Sequence, residues 1–189
     1  MNRPPVPALS AVARRAGRRY ARGATLLEAV AFLGVAAIVM TGAIGLMHNS
    51  FRSATSERFV EESNALATNV RALYASPGSG GYAALSMTDL YNSHAFPGTL
   101  QAQGAGAGGA VTVTNAWGGA VTVTLGANNI PVLTYANVPK EACIDALLAG
   151  GNWVSVAVNS VAQSTSGETA AQAVAACSGA SNTMAWGFS

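Results

Sequence analysis

The chain has 189 residues, half of them hydrophobic and 10% charged, a length that suits one globular domain with a helical or membrane appendage. Its net charge of +2 hides an asymmetry, because Arg3, Arg14, Arg15, Arg18, Arg19 and Arg22 precede Gly23 and leave four basic residues against eight acids beyond it. A cut at Gly23 would leave a mildly acidic product, and four scattered cations argue against nucleic-acid binding and DNA uptake.

Residues 1–23 are a basic lead-in, and residues 24–47 are an apolar run interrupted only by Glu28. At ~1.5 Å rise per residue such a run crosses a hydrocarbon core of about 30 Å. Arginines lie on its N-terminal side and no comparable cluster follows, so the N-terminus is expected to stay in the cytoplasm while the remainder crosses. An uncleaved signal anchor would explain the run and the arginines, but neither Gly23 nor Glu28. An ionised carboxylate in hydrocarbon is unfavourable and needs a partner.

The helical pattern continues past the run. Phe51, Thr55, Phe59, Leu66, Val70, Leu73 and Tyr74 recur at helical spacings, while Arg52, Glu57, Arg58, Glu61 and Glu62 occupy other faces. The spacing predicts an amphipathic continuation over 51–75, ended by Ser76-Pro77-Gly78. The whole helix, 24–75, would hold about 52 residues and span about 78 Å. Its first half is apolar all round, fit for lipid or identical helices, and its second half has one apolar stripe, fit for packing a domain. Gly34, Gly42 and Gly45 read either as bending points or as ordinary membrane-helix glycines.

Residues 76–189 form the predicted globular domain. A short helix is expected over 86–94, capped by Ser86 or Thr88, with Met87, Leu90 and Tyr91 on its apolar side. The glycines of 104–109 match G-x-G-x-x-G by letter, but a strand pattern follows them instead of a helix, so they are read as a loop. Two antiparallel strands, 110–115 and 120–125, are expected to flank Trp117-Gly118-Gly119, with valines on one face and threonines on the other. A third strand is expected over 130–135. Pro139 opens a helix that Gly150-Gly151 closes, aligning Ala142, Cys143, Ala146 and Leu147. A strand over 153–158 follows. Thr165 and Glu168 have the spacing of a capping box opening a helix to Cys177. Met184, Trp186 and Phe188 alternate in a closing strand over 183–188.

No catalytic constellation emerges. The two histidines, His48 and His94, have no second ligand or base beside them, no nucleophile elbow is present, and the acids are too sparse for a general acid/base pair or a calcium site. No enzyme, cofactor or metal site is expected. Cys143 and Cys177 match no metal spacing. In an exported domain a disulfide is their simplest reading, and in a cytosolic one two buried thiols.

The R-G/A-T-L-L-E junction resembles the class III leader of type IV prepilins. The resemblance implies a prepilin peptidase cutting after Gly23, a methylated new N-terminus at Ala24, and Glu28 as the assembly glutamate at the fifth position of the product. The 23-residue leader and a first residue other than Phe resemble the type IVb branch. N-A-W-G-G before a V-T-V-T strand, the late cysteine pair and the terminal W-G-F-S are similar to PilS-type pilins. That family implies an α+β fold, a long N-terminal helix carrying an antiparallel sheet, with a Cys143–Cys177 disulfide closing the C-terminal region. It also implies a homopolymer built by the type IV pilus assembly machinery. The precursor would lie in the inner membrane and the product in an extracellular pilus of a Gram-negative bacterium, serving adhesion, aggregation or conjugative mating. The alternatives are a minor pilin, a type II secretion pseudopilin, or an uncleaved membrane-anchored binding domain.

Overall fold

The computed structural model describes residues 25–75, 80–104 and 110–189. One helix, α1 (Leu26–Tyr74), starts the described chain, and the protein divides at Gly45/Leu46 into two compact units. Among the described residues, the first contributes the start of α1 and Thr25 before it, and the second combines the rest of α1 with a two-stranded sheet, a five-stranded sheet and three shorter α-helices.

In the second unit α1 buries Phe59, Leu66, Ala67, Val70 and Tyr74, which lie along one side of the helix. Ser56 and Ser63 share that buried face, so the stripe is wider than its large apolar residues indicate. The link after α1 passes through residues 76–79, outside the described residues. The chain then forms α2 (Met87–Asn92), whose N-cap is Ser86: its hydroxyl oxygen accepts from the Thr88 amide at 3.2 Å. Tyr74 and Asn69 hold this segment on α1. The Ser86 amide donates to the Tyr74 hydroxyl (3.1 Å), and Asn69 Nδ2 donates to the Ala95 carbonyl (2.8 Å).

The strands are β1 (Gln101–Gln103), β2 (Thr112–Thr114), β3 (Val121–Leu125), β4 (Pro131–Pro139), β5 (Ser155–Val158), β6 (Val161–Gln163) and β7 (Ser181–Gly187). The last five form one antiparallel sheet in the order β3-β4-β7-β5-β6. Val121 and Val123 of β3 face the core and Thr122 and Thr124 face out, as expected from the alternation. The expected 110–115/120–125 pair does not form as one hairpin. β2 instead pairs with β1, and a single bridge, Thr114–Ala120, joins it to the large sheet. Asn115 is the physical reason. Its Oδ1 accepts from the amides of Trp117 (3.0 Å) and Gly119 (2.9 Å), and its Nδ2 donates to the Ala136 carbonyl (2.7 Å). The buried side chain thereby ties the turn to β4, and the two V-T-V-T strands part.

Gly119 is required at this crossing. A Cβ there would lie 1.9 Å from the Ala136 carbonyl oxygen, beside the bulge between Tyr135 and Val138 where Asn137 has φ 56°. Gly119→Ala is expected to destabilise the globular unit by about 1–3 kcal/mol, because backbone has to move. Thermal unfolding in detergent measures it, and an unchanged midpoint would show that the crossing relaxes freely.

Beyond β4, α3 (Lys140–Ala149) starts after Pro139, buries Ala142, Cys143, Ala146 and Leu147, and is closed by Gly150 at φ 60°. A strand that the sequence reading omits, β6, pairs with β5 across Asn159-Ser160, both at positive φ, which suits a two-residue hairpin loop. The last helix, α4 (Ala170–Ala176), begins later than expected. Its capping box is Thr169 with Gln172, whereas Gly167 at φ 98° keeps 165–168 out of the helix. Glu168 serves the loop instead, accepting from the Ser164 amide at 2.7 Å.

The core is aromatic. The Phe59 ring lies 5.1 Å from Tyr135, 5.2 Å from Trp117 and 5.5 Å from Trp186, spacings at which edge and tilted packing are favourable. Trp153 continues the cluster at 5.8 Å from Trp186.

Candidate functional site

The start of α1 presents a continuous apolar surface that is exposed among the described residues. Leu26–Met47 is long and apolar enough to cross a membrane, and none of it is buried within the chain. Leu26 is 84% exposed, Phe32 74% and Leu46 75%. Leaving so many large side chains in water is incompatible with a stable soluble surface, so this helix needs lipid or other helices.

Its polar groups are arranged for such surroundings. Thr25 precedes the helix, and its hydroxyl oxygen accepts from the Glu28 amide at 3.3 Å while its carbonyl accepts from the Ala29 amide at 3.0 Å. These contacts make Thr25 the N-cap, a role the sequence reading missed although T-L-L-E carries the S/T-x-x-E spacing. Glu28 lies in the first turn, where the helix dipole favours a carboxylate, and its side chain is exposed. Gly23 and Ala24 lie outside the described residues. Further along, the Thr41 hydroxyl donates to the Ile38 and Ala37 carbonyls (2.9 and 3.1 Å), and the Ser50 hydroxyl donates to the Leu46 carbonyl at 3.0 Å. Both are satisfied by their own helix. A Cβ at Gly34, Gly42 or Gly45 would meet nothing within 4 Å, so the fold of the single chain does not require these glycines.

In the second unit, Cys143 of α3 and Cys177 after α4 are joined by a disulfide, with Cα atoms 6.0 Å apart and both residues fully buried. Arg71 fastens the other end of the fold to α1. Its Nε donates to the Ser189 carbonyl at 2.8 Å, and its guanidinium lies 5.1 Å from the Phe188 ring centroid. His94 is exposed, and among the described residues no three His, Cys, Asp or Glu side chains gather as a metal site would need.

Glu62 departs from its expected place on a solvated face. It is half-buried and accepts a hydrogen bond from the Thr99 hydroxyl. Among the described residues the buried Tyr135 hydroxyl makes no hydrogen bond, and Glu62 acts on it through its charge. Burial pushes the Glu62 carboxyl above its ordinary value, with the Thr99 bond opposing the shift; burial and then the Glu62 charge push the Tyr135 phenol up. A carboxyl raised by folding contributes stability when protonated, and that contribution is lost as pH rises through the folded-state value. Relative to Glu62→Gln, the wild-type unit is therefore expected to gain stability as pH falls from neutral toward the ordinary value of 4.5. Paired thermal melts across that range test it; parallel pH profiles would contradict it.

The comparisons with known proteins bear on this arrangement. The family model described as "PilS N terminal" matches residues 53–189. The chain belongs to the PilS N-terminal family. The match begins beyond the apolar run, so it is independent of the R-G/A-T-L-L-E junction. A search of curated proteins found no match. Among solved structures, this PilS-family chain is similar to a crystal structure of type IV b pilin from Salmonella typhi, with a TM-score of 0.56 and 22% identity over 68% of this chain and 96% of that one. The fold is that of a type IVb pilin: a long N-terminal helix followed by an antiparallel sheet domain. Both family and fold are structural rather than enzymatic.

Proposed function

We propose that this type IVb pilin is processed after Gly23 and polymerised through residues 24–50 into an extracellular filament. The observation that carries the reading is the uncovered apolar helix, bearing one carboxylate at its start and joined in sequence to a PilS-family domain. In the precursor that helix lies in the inner membrane; in the polymer, identical helices replace lipid around it. Cleavage by prepilin peptidase creates an amine at Ala24, which is methylated and meets Glu28 of a neighbouring subunit. Residues 51–75 continue the helix under the domain, and 76–189 form the outside of the filament. Adhesion, aggregation and mating are roles for that outer face.

N-terminal sequencing of protein from sheared filaments tests the proposal. Methyl-alanine at position 24 is expected. An intact Met1 on a chain that stays in the membrane would instead support the anchored binding domain.

A further inference from the structure

Twelve charged residues follow Gly23, and five of them, Arg52, Glu57, Arg58, Glu61 and Glu62, fall within one short stretch of α1. Two clefts flank this stretch and share no residue. The first, about 490 Å³, lies between α1 and α3 and is lined by Glu57, Glu61 and Asp145 with Ser56, Val60 and Ala149. Among the described residues its lining carries three carboxylates and no cation. The second, about 290 Å³, is lined on α1 by Thr55, Arg58, Phe59 and Glu62, and across from it by Thr99 and Trp117 among others. Glu62 is turned toward Thr99 and Tyr135, so the exposed Arg58 is the charge this flank offers to a partner.

An open helical polymer needs two different, mutually fitting patches on every subunit, because a head-to-tail contact never closes on itself. The acidic flank and the Arg58 flank are such a pair in a domain with very few other charges. We propose, on the reading of the chain as a filament subunit, that Arg58 of one subunit docks in the Glu57–Glu61–Asp145 cleft of the next. A guanidinium presents five donors in a fixed fork and can satisfy more than one carboxylate at once. Val60 and Ala149 on one side and Trp117 on the other border the charges, and excluding water there strengthens the attraction. Within its own helix Arg58 also stands three residues before Glu61, an exposed spacing worth little by itself. The test has to separate that internal pair from the contact between subunits.

Full-length chains carrying Arg58→Glu, or Glu57→Lys with Glu61→Lys, are expressed separately and together, and sheared filaments are quantified against the precursor in the membrane. Each variant alone is expected to yield at least tenfold fewer filaments than wild type. Co-expression is expected to restore them as a mixed polymer, since each variant keeps the flank that fits the other; an internal ion pair would not be restored by mixing. Wild-type yield from either variant alone, or no recovery when both accumulate, overturns the proposal. If a reversal prevents accumulation, Arg58→Ala replaces it. Wild-type filaments are then expected to loosen as salt is raised and Arg58→Ala filaments to respond much less, and equal salt sensitivity overturns the proposal. Absence of filaments from the wild-type chain itself would count against the filament reading, not against this contact.

Discussion

Glu28→Ala is expected to abolish filaments while leaving the chain in the membrane and its globular unit folded. The residue lies in the first turn of α1, far in sequence from the aromatic core, and contributes nothing to that core. Its proposed partner is the Ala24 amine of a neighbouring subunit inside an apolar bundle. Removing one member of a buried ion pair costs about 3–5 kcal/mol, because the other charge stays buried and unpaired. At each subunit addition that is a factor of about 10² to 10³ or more in the equilibrium. A carboxylate that merely favours the positive end of its own helix contributes about 0.3–1 kcal/mol and would leave most assembly intact. Electron microscopy of sheared material, with membrane fractionation for the precursor, separates the two. Normal piliation by Glu28→Ala would sink the assembly role. Glu28→Gln adds a second arm, since it keeps the shape and removes the charge.

Replacing Cys143 and Cys177 together by alanine is expected to destabilise the globular unit by about 3–4 kcal/mol, from loop-closure entropy over their 34-residue separation. For a unit of this size that lowers the thermal midpoint by roughly 10 °C. Alanine is preferred to serine because both positions are fully buried and a hydroxyl there would add its own desolvation cost. Reductant should lower the wild-type midpoint and leave the double variant unmoved. A wild-type chain indifferent to reductant under conditions that demonstrably break the bond would refute the stabilising role.

Much of this architecture is legible in the residues because local patterns and global packing agree along α1, α3 and β3. The apolar run ends where amphipathic spacing begins, and Ala142, Cys143, Ala146 and Leu147 are buried as their spacing implies. The departures have identifiable causes. The paired V-T-V-T segments look like a hairpin because alternation says which face is buried but not which strand is the partner, and Asn115 decides that through side-chain bonds to a distant carbonyl. The last helix starts at Ala170 because two adjacent capping patterns compete, and the glycine within the first, Gly167, favours the second. β6 is short, carries exposed residues and turns on Asn-Ser without a glycine, so no strong pattern marks it. Glu62 looks like a solvated charge until the loop carrying Thr99 covers it. In the candidate site, the run, Glu28, the cysteine pair and the capping spacing of Thr25 are visible in sequence, whereas the two flanking clefts need the helix and its neighbours in place.

The position of β7 has a consequence for the order in which the protein can be made. β7 is encoded after all the other strands yet lies between β4 and β5, so those two have no direct contact in the sheet and each waits for the same late partner. A chain emerging from a membrane, N-terminal part first, can form α1 and the β3–β4 and β5–β6 ladders early, but the sheet remains two separate pieces until residues 181–187 have crossed. Long-range pairing of this kind is slow and leaves strand edges open meanwhile. In the proposed filament subunit translocation therefore acts as a clock: the outer domain is completed only once its last strand has crossed the membrane, which keeps half-made subunits from presenting a finished surface to one another.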